Sequence, residues 1–324
     1  MSDFNLSAIN ERINKFSSFV QPLQNNLNRI VVGQKELLNK IIICMLADGH
    51  LLLEGVPGLA KTLTVNTLAD SIDTKFQRIQ FTPDMLPADL LGTLIYNQKS
   101  GEFDTRKGPI FSNIILADEI NRSPAKVQSA LLESMQEKQV TIGEETYKLN
   151  LPFLVLATQN PIEQEGTYPL PEAQLDRFMF SIVIDYPSLN DELQIVKNTT
   201  TINHQEINKV LNCDDILNFQ KALLGIPITN TVYSYAVDLV RKTRPNTKNC
   251  PEDIKKFIDF GAGPRASQYL IFGSKMHAVL RGKYSPDIED VRAVSEDVLR
   301  HRLVKNYKAE AEGVTIEKII QNLF

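Results

Sequence analysis

The chain has 324 residues, of which 43% are hydrophobic and 23% are charged. This length suffices for two domains with cores of their own, and the composition excludes a disordered chain, a fibrous repeat and a small disulfide-held scaffold. The 35 Lys and Arg residues against 39 Asp and Glu residues give a net charge of -4, which argues against a surface built mainly to coat nucleic acid.

The cysteines and the amino-terminal residues indicate the cellular compartment of the protein. Cys44, Cys213 and Cys250 are odd in number and far apart, which favours reduced thiols over a disulfide framework. The first residues lack the basic start and apolar stretch of a secretory signal. The longest apolar run, from Ile41 to Ala47, is too short to cross a bilayer. We therefore expect a cytoplasmic protein without a membrane span.

Apolar periodicity predicts helices that alternate with short strands through residue 187. Helices are predicted around Ile9 to Val20, from Gln34 to Asp48 and from about Lys61 to Ser71. The predicted strands are His50 to Leu53, Phe76 to Phe81, Ile114 to Ala117, Phe153 to Thr158 and Phe180 to Ile184. Such alternation implies an α/β fold with a mostly parallel five-stranded sheet flanked by helices. Ligands of such sheets bind beyond the carboxyl ends of the strands.

Two segments predict hairpin insertions into this α/β region. Thr93 to Arg106 and Val140 to Leu149 each contain two alternating runs around a glycine. After Tyr186-Pro187 the strand-like runs stop and helical periodicity continues to the end. We therefore predict an α/β domain over residues 1–187 and an all-helical domain over residues 188–324.

The strongest local motif lies between the first strand and the following helix. Its residues, to which we add Leu63, are Gly55, Val56, Pro57, Gly58, Leu59, Ala60, Lys61 and Thr62. Strand, glycine-rich loop, Lys-Thr and helix are the arrangement of a Walker A loop, in which backbone N–H groups surround phosphate oxygens. Lys61 then reaches the β- and γ-phosphates and Thr62 holds Mg²⁺. The alternative is a structural Gly-Pro turn with a solvated Lys61.

One position departs from the motif, because Ala60 stands where glycine is expected. If that residue needs a positive φ, alanine adds strain of order 1 kcal/mol. The loop must therefore accept a Cβ at this position.

Two carboxylates follow the strand that begins at Ile114. Asp118 is predicted to hold Mg²⁺ and Glu119 to polarise the attacking water, since hydrolysis needs both groups at a neighbouring strand end. An Asp-Glu pair alone is also typical of a solvated helix start. Ser123 and Pro124 are predicted as the N-cap and first residue of the next helix.

The next strand is followed by Asn160, whose amide can bridge the water and the γ-phosphate. The competing interpretation is an Asn-Pro turn that merely starts a loop. The order of the three motifs along the chain favours the functional interpretation.

These motifs together resemble the AAA+ ATPases, and within them the MoxR family. The resemblance rests on Gly55 to Thr62, Leu116 to Arg122, Ala157 to Pro161, Gln174 to Phe178 and Gly263 to Ala266, and it covers nearly the whole chain. It implies a P-loop AAA+ core with a helical lid, ATP and Mg²⁺ as ligands, and a loop that tolerates Ala60. The two predicted hairpins match the helix-2 insert and the pre-sensor-1 hairpin of this branch, which in relatives face the pore or a partner.

The resemblance also implies roles for residues outside the first two motifs. Asn160 matches sensor 1, Arg265 the sensor 2 arginine of the lid, and Arg177 the arginine finger donated to a neighbouring subunit; Arg122 is the alternative finger. The adenine pocket is matched by Val32, Gly33 and Gln34. The family further implies a homo-oligomer, expected as a hexameric ring, that remodels or matures a client protein, often one with a von Willebrand factor type A domain.

Two other functions compete with this one. A nucleotide-gated binding module would use the same loop with negligible turnover. A DNA-acting motor needs clustered Lys or Arg, whereas the second hairpin carries Glu144 and Glu145 at its tip. The basic stretch from Arg300 to Lys308 has acidic neighbours and is typical of a solvated helix face.

Overall fold

The computed structural model describes residues 20–29, 31–55, 61–160, 166–200 and 208–324, without the side chains of Lys61, Thr62 and Thr199. The predicted helix around Ile9 to Val20 therefore lies outside the described residues except for its last position. The loop from Val56 to Ala60 and Pro161 lie outside them as well.

Contacts group the chain into two units. The core unit contains residues 22–177 and 182–217. The helical unit contains residues 178–181 and 218–324, together with residues 20 and 21 of the described chain. This grouping differs from the predicted division after residue 187, which stays a prediction.

Helices and strands alternate in the first two thirds of the chain. The helices are α1 (20–29), α2 (Lys35–Leu46), α3 (Lys61–Ser71), α4 (Pro87–Leu91), α5 (Ala125–Glu137), α6 (Glu172–Leu175) and α7 (Leu189–Thr199). The strands are β1 (Leu51–Glu54), β2 (Ile72–Asp73), β3 (Phe76–Gln80), β4 (Gly92–Asn97), β5 (Glu102–Lys107), β6 (Ile114–Asp118), β7 (Gln139–Ile142), β8 (Glu145–Lys148), β9 (Leu154–Gln159), β10 (Phe180–Val183) and β11 (Leu211–Asn212). The predicted sheet strands are confirmed to within a residue at either end.

Five of these strands form one sheet in the order β10-β1-β9-β6-β3. The pairs β1–β9, β9–β6 and β6–β3 are parallel, so their carboxyl ends meet at one edge. Residues 114–117 of β6 are buried throughout, as expected for a central strand covered on both faces. Strand β3 lies at the edge of the sheet, and Arg78 and Gln80 on it are exposed. The predicted mostly parallel five-stranded sheet is confirmed.

The opposite, amino end of the sheet contains a buried histidine. The ring of His50 precedes β1, accepts the N–H of Val155 at Nδ1 (3.1 Å) and lies 3.2 Å from the Met135 carbonyl through Nε2. Since the β1–β9 ladder begins at Leu51 and Leu156, the ring satisfies a strand N–H that lies just beyond the ladder. Burial lowers the pKa of His50 to about 4.

The two predicted hairpins are present. Strands β4 and β5 pair antiparallel from Gly92 with Lys107 to Asn97 with Glu102, and β7 and β8 pair in the same way. The hairpins contact each other through the Thr105 and Tyr147 hydroxyls, which lie 3.0 Å apart. Their exposed apolar side chains lie on the first hairpin, where Tyr96 is 52% and Phe103 65% exposed.

The start of α5 corrects one prediction. Pro124, rather than Ser123, takes the N-cap position, and the helix begins at Ala125. Pro124 has a ψ of 151° and therefore lies outside the helix, while the Ser123 hydroxyl donates to the Ile120 carbonyl at 3.1 Å. The apolar face of α5 is as predicted, with Val127, Leu131 and Met135 buried.

Helices dominate the remainder of the chain. They are α8 (Cys213–Leu224), α9 (Asn230–Lys242), α10 (Glu252–Phe257), α11 (Pro264–Leu280), α12 (Ile288–Leu299), α13 (Tyr307–Ala311) and α14 (Ile316–Gln321). A short antiparallel ladder of β12 (Ile258–Phe260) and β13 (Val304–Lys305), which the sequence did not predict, interrupts them. Among the described residues, no helix is long and apolar enough to cross a membrane.

Helix α11 is the centre of the helical unit and packs against α9 and α12. The carboxylate of Asp290 on α12 has no exposed surface, and its Oδ1 lies 2.7 Å from His277 Nδ1 and 3.1 Å from Arg281 Nη1. Lys275, also on α11, donates to the carbonyls of Leu223 and Leu224, and burial lowers the pKa of its amine. These bonds satisfy buried charges that would otherwise oppose packing.

Candidate functional site

The Walker A motif is flanked as the sequence predicts. Strand β1 ends at Glu54, Gly55 follows as a buried residue, and α3 begins at Lys61. The Gly55 N–H points to the Gln159 carbonyl at 3.4 Å, so the loop leaves β1 directly beside the end of β9. Leu63 lies in the first turn of α3 and is 44% exposed. The strand and helix that a phosphate-binding loop requires are therefore in place.

The segment from Val32 to Gln34 lies beside the start of α3. Thr64 on α3 donates its hydroxyl to Gln34 Oε1 at 3.4 Å. Gly33 has a φ of +76°, and a Cβ at this position would lie 2.6 Å from Cγ of Asp191. Glycine is required there on both counts, since a side chain would be strained and would collide. Gln34 of the predicted adenine-pocket segment thus contacts α3, the helix that begins at Lys61 of the motif.

Asp118 and Glu119 stand at the carboxyl end of β6, as predicted. Thr158 on β9 joins them, because its hydroxyl donates to Asp118 Oδ1 at 2.6 Å and accepts the Glu119 N–H at 2.8 Å. Thr158 is 2% exposed. Glu119 adopts a left-handed conformation, with φ 56° and ψ 50°, which is unusual for a residue with a side chain. The chain therefore turns sharply directly after β6.

Side chains of β3 bind both carboxylates. Arg78 donates to Asp118 Oδ2 from Nη2 at 2.6 Å and from Nε at 3.2 Å. Nη2 of the same arginine also donates to Gln80 Oε1 at 3.2 Å. The Gln80 amide donates to Glu119 Oε2 at 2.9 Å, and Arg122 Nη1 lies 3.1 Å from the same oxygen. Asp118 and Glu119 are thus linked by one network, which we call the Asp118–Glu119 network.

Asn160 directly follows β9, the strand that separates β1 from β6, and it is 7% exposed. Its position at the sheet edge agrees with the prediction. Arg177 is half-buried between α6 and β10, and its backbone N–H donates to the Gln174 carbonyl at 3.2 Å. Arg265 belongs to the helical unit as the second residue of α11, directly after Pro264. Its predicted place in the first turn of that helix is confirmed.

Three residues of this site, Arg78, Gln80 and Thr158, were not predicted as site residues from the sequence motifs. The strand pattern of Phe76 to Gln80 puts Arg78 and Gln80 on one face. Only the pairing register decides which residues that face meets: Gln80 lies opposite Asp118, and Arg78 lies one diagonal step away. The available signal for Arg78 and Gln80 was the presence of polar residues in a predicted strand of a sheet that also contains the acidic pair.

The oxygen donors present suit a magnesium ion. Asp118 offers a carboxylate at an open strand end, its side chain 15% exposed, and the contact with Arg78 places a cation against Oδ2. Hard oxygen ligands of this kind are those that Mg²⁺ takes from proteins alongside phosphate oxygens and water.

This fold and site define the class of protein. The parallel sheet has a Walker A motif after one strand and an Asp-Glu pair after a second. An asparagine follows the strand between them. This arrangement is the core of an AAA+ ATPase. Residues 50–180 match the ATPase family associated with various cellular activities (AAA), and residues 251–323 match the AAA lid domain.

Similar proteins specify the family. The chain is 46% identical to Chaperone MoxR1 of Mycobacterium tuberculosis over 92% of its own length and 78% of that protein. It is 40% identical to YeaC of Bacillus subtilis, over 92% and 91% of the two chains. A crystal structure of a protein from Cytophaga hutchinsonii superposes with a TM-score of 0.91 at 47% identity, covering 98% of this chain and 97% of that one. The chain belongs to the MoxR family of AAA+ ATPases.

Proposed function

We propose that this chain binds ATP with Mg²⁺ and hydrolyses it. The observation that carries the proposal is the Asp118–Glu119 pair at the end of β6, at the same sheet edge as the start of the Walker A loop after β1. Phosphoryl transfer needs a phosphate cradle, a metal anchor and a group that orients water, and this edge supports all three.

Each candidate residue has a proposed role in that reaction. The backbone N–H groups of the loop from Gly55 to Ala60, in which Pro57 has none, surround the phosphates with Lys61 and Leu63, and Val32 to Gln34 line the adenine pocket. Thr62 and Asp118 hold Mg²⁺, which neutralises phosphate charge when it is bound. Arg265 is proposed to contact the nucleotide from the lid.

In the chemical step, Glu119 orients the attacking water and accepts its proton, while Asn160 holds the water and the γ-phosphate. The water oxygen bonds to the γ-phosphorus as the bond from that phosphorus to the ADP oxygen breaks.

The test of hydrolysis is Glu119→Gln. This change removes the proton acceptor but keeps a side chain of the same shape, so ATP binding should persist while turnover falls by about 100-fold or more. Equilibrium binding of a fluorescent ATP analogue and phosphate release measure the two quantities. Glu133→Gln, an exposed site on α5, is the matched control and should leave both unchanged. Full turnover in the Glu119 variant would contradict the proposal.

We further propose that catalysis is shared between subunits of a hexameric ring, with Arg177 as the arginine finger. Arg122 already contacts Glu119 of its own chain, which favours Arg177 for a role in the neighbouring subunit. An arginine finger contributes about 10³ to 10⁵ in rate.

The test of shared catalysis mixes Glu119→Gln subunits with Arg177→Ala subunits, each of which should be inactive alone. Mixing should restore part of the activity, because an Arg177→Ala subunit keeps its own Glu119 and receives the finger of a Glu119→Gln neighbour; Arg122→Ala subunits serve as the comparison. A mixture that stays as inactive as its components would contradict shared catalysis through Arg177. Specific activity should also rise with protein concentration, whereas a flat rate near zero, with and without a partner, would favour a binding module.

The proposed client is a protein, acted on in the cytoplasm. The name of the similar Chaperone MoxR1 supports a chaperone-like role, and the family resemblance points to a partner with a von Willebrand factor type A domain. A pull-down with ATP-loaded Glu119→Gln protein should retain such a partner better than ADP-loaded wild type. DNA is disfavoured because the β7–β8 tip exposes Glu144 and Glu145, and DNA-stimulated, salt-dependent turnover would reverse that view.

A further inference from the structure

The contact between Arg78 and Asp118 differs from an ordinary surface ion pair in what it occupies. Arg78 directs Nη2 and Nε to a single oxygen, Asp118 Oδ2. The other oxygen, Oδ1, is already bound by the buried Thr158 hydroxyl. The carboxylate is therefore fixed on one side and presents its second oxygen to a cation on the other.

The register of the sheet places the guanidinium there. Because β3 and β6 are parallel and Gln80 lies opposite Asp118, Arg78 reaches Asp118 diagonally along the same face. The contact with Gln80 Oε1 holds the guanidinium in this direction. The position of the cation thus follows from strand pairing rather than from a flexible loop.

Arg78 can leave this position. Its side chain is 49% exposed, against 15% for Asp118, so the guanidinium can move into water while the carboxylate stays. An exposed ion pair of this kind contributes little to folding, and a second cation close to Asp118 would repel the first. A guanidinium and a divalent metal ion therefore compete for one carboxylate oxygen.

We propose that Arg78 is a positioning residue that occupies the cation position at Asp118 before the metal does, and that divalent metal binding with nucleotide requires its displacement. The inference rests on the proposed function, because it takes Asp118 as a metal-holding residue. Arg78 then sets the metal concentration at which the site fills. It also keeps the Asp118 carboxylate in a fixed orientation before nucleotide binds.

The test measures Mn²⁺ affinity of the ADP-bound full chain, by counting free Mn²⁺ in electron paramagnetic resonance titrations. Arg78→Ala should bind Mn²⁺ about fivefold more tightly than wild type, the factor that corresponds to roughly 1 kcal/mol. Arg78→Lys, which keeps the charge but loses the second N–H donor, should fall between them. ADP affinity in EDTA should be the same in all three proteins.

Two controls test whether the effect on Mn²⁺ affinity is specific to the contact between Arg78 and Asp118. Lys138→Gln removes another surface ion pair of the core unit, that with Asp48, and should leave Mn²⁺ affinity unchanged. In an Asp118→Asn background, Arg78→Ala should have no effect on Mn²⁺. Thermal melting confirms that each variant is folded.

The outcomes distinguish the two proposals. Unchanged or weaker Mn²⁺ binding by folded Arg78→Ala that still binds ADP would overturn the inference alone. Loss of ADP affinity in EDTA in that variant would make Arg78 a nucleotide contact and would also overturn it. A wild type that binds no ADP in either buffer would overturn the proposed function and this inference with it.

Discussion

At the carboxyl end of the core sheet, Asp118 and Glu119 bond to side chains, whereas at the amino end His50 bonds to backbone groups. Arg78, Gln80 and Arg122 are exposed or half-exposed partners at the first end. The His50 ring, 6% exposed, lies between the Val155 N–H and the Met135 carbonyl at the other. Side-chain partners can exchange for ligands, while buried backbone partners cannot. The difference separates an end suited to chemistry from an end suited to stability.

Thr158→Val should produce the largest change, because Thr158 is the one buried anchor within the Asp118–Glu119 network. Valine keeps the shape but leaves the Glu119 N–H and Asp118 Oδ1 without this partner. We expect a loss of about 1 to 3 kcal/mol in the free energy of unfolding and a fall of about 100-fold in turnover. Urea unfolding and phosphate release measure these. Thr158→Ser, which keeps the hydroxyl, should retain most of both, and equal losses in the two variants would contradict the assignment.

His50→Leu should separate the two ends. Leucine leaves the Val155 N–H and the Met135 carbonyl without the ring, so we expect the free energy of unfolding to fall by about 2 to 3 kcal/mol. Nucleotide affinity should not change, since the residue lies at the far end of the strands. Urea unfolding and nucleotide titration test this together. A loss of affinity in folded protein would remove the distinction between the ends.

The pH dependence of stability should report the same histidine. Burial lowers the pKa of folded His50 to about 4, below the usual histidine value of 6.5, so the unfolded chain takes up the proton first as the pH falls. The contribution of neutral His50 to the free energy of unfolding is therefore complete above pH 6.5 and is lost as the pH falls toward 4. Protonation at Nδ1 would also place a proton against the Val155 N–H.

In unfolding experiments, wild type should lose about 2 kcal/mol more than His50→Leu when the pH is lowered from about 7 to about 5. Comparing wild type with the variant removes the pH dependence that comes from the carboxylates and from the buried His301, because both proteins contain these groups. The pKa of His301 is also lowered by burial. Parallel pH curves for the two proteins would show that His50 does not carry this dependence.

Lys138→Gln should have the smallest effect. Its ion pair with Asp48 lies near His50 at the amino end, and both side chains are about a third exposed. We expect a change of less than about 1 kcal/mol in the free energy of unfolding, smaller still at high salt, and unchanged turnover. A clear loss of turnover would show that the amino end influences the site.

Much of the site could be predicted because its signals are local. The Gly-rich run, the Lys61-Thr62 pair and the acidic residues after a buried apolar strand are each contiguous, and their order follows the chain. The start of α5 was misplaced by one residue because Pro124 has a ψ of 151° and lies outside the helix. Proline fixes φ but not ψ, so the sequence alone does not decide between the N-cap and the first helical position.

The sequence by itself determined the alternation of strands and helices, the two hairpins, and the motifs at the strand ends, since each depends on neighbouring residues. Only the tertiary structure decided which strand lies beside β6, and hence that Arg78, Gln80 and Thr158 meet Asp118 and Glu119. These residues are about 40 positions apart along the chain. The physical reason is register: hydrogen bonds between strands fix which side chains share a face, and apolar periodicity alone does not specify the partner.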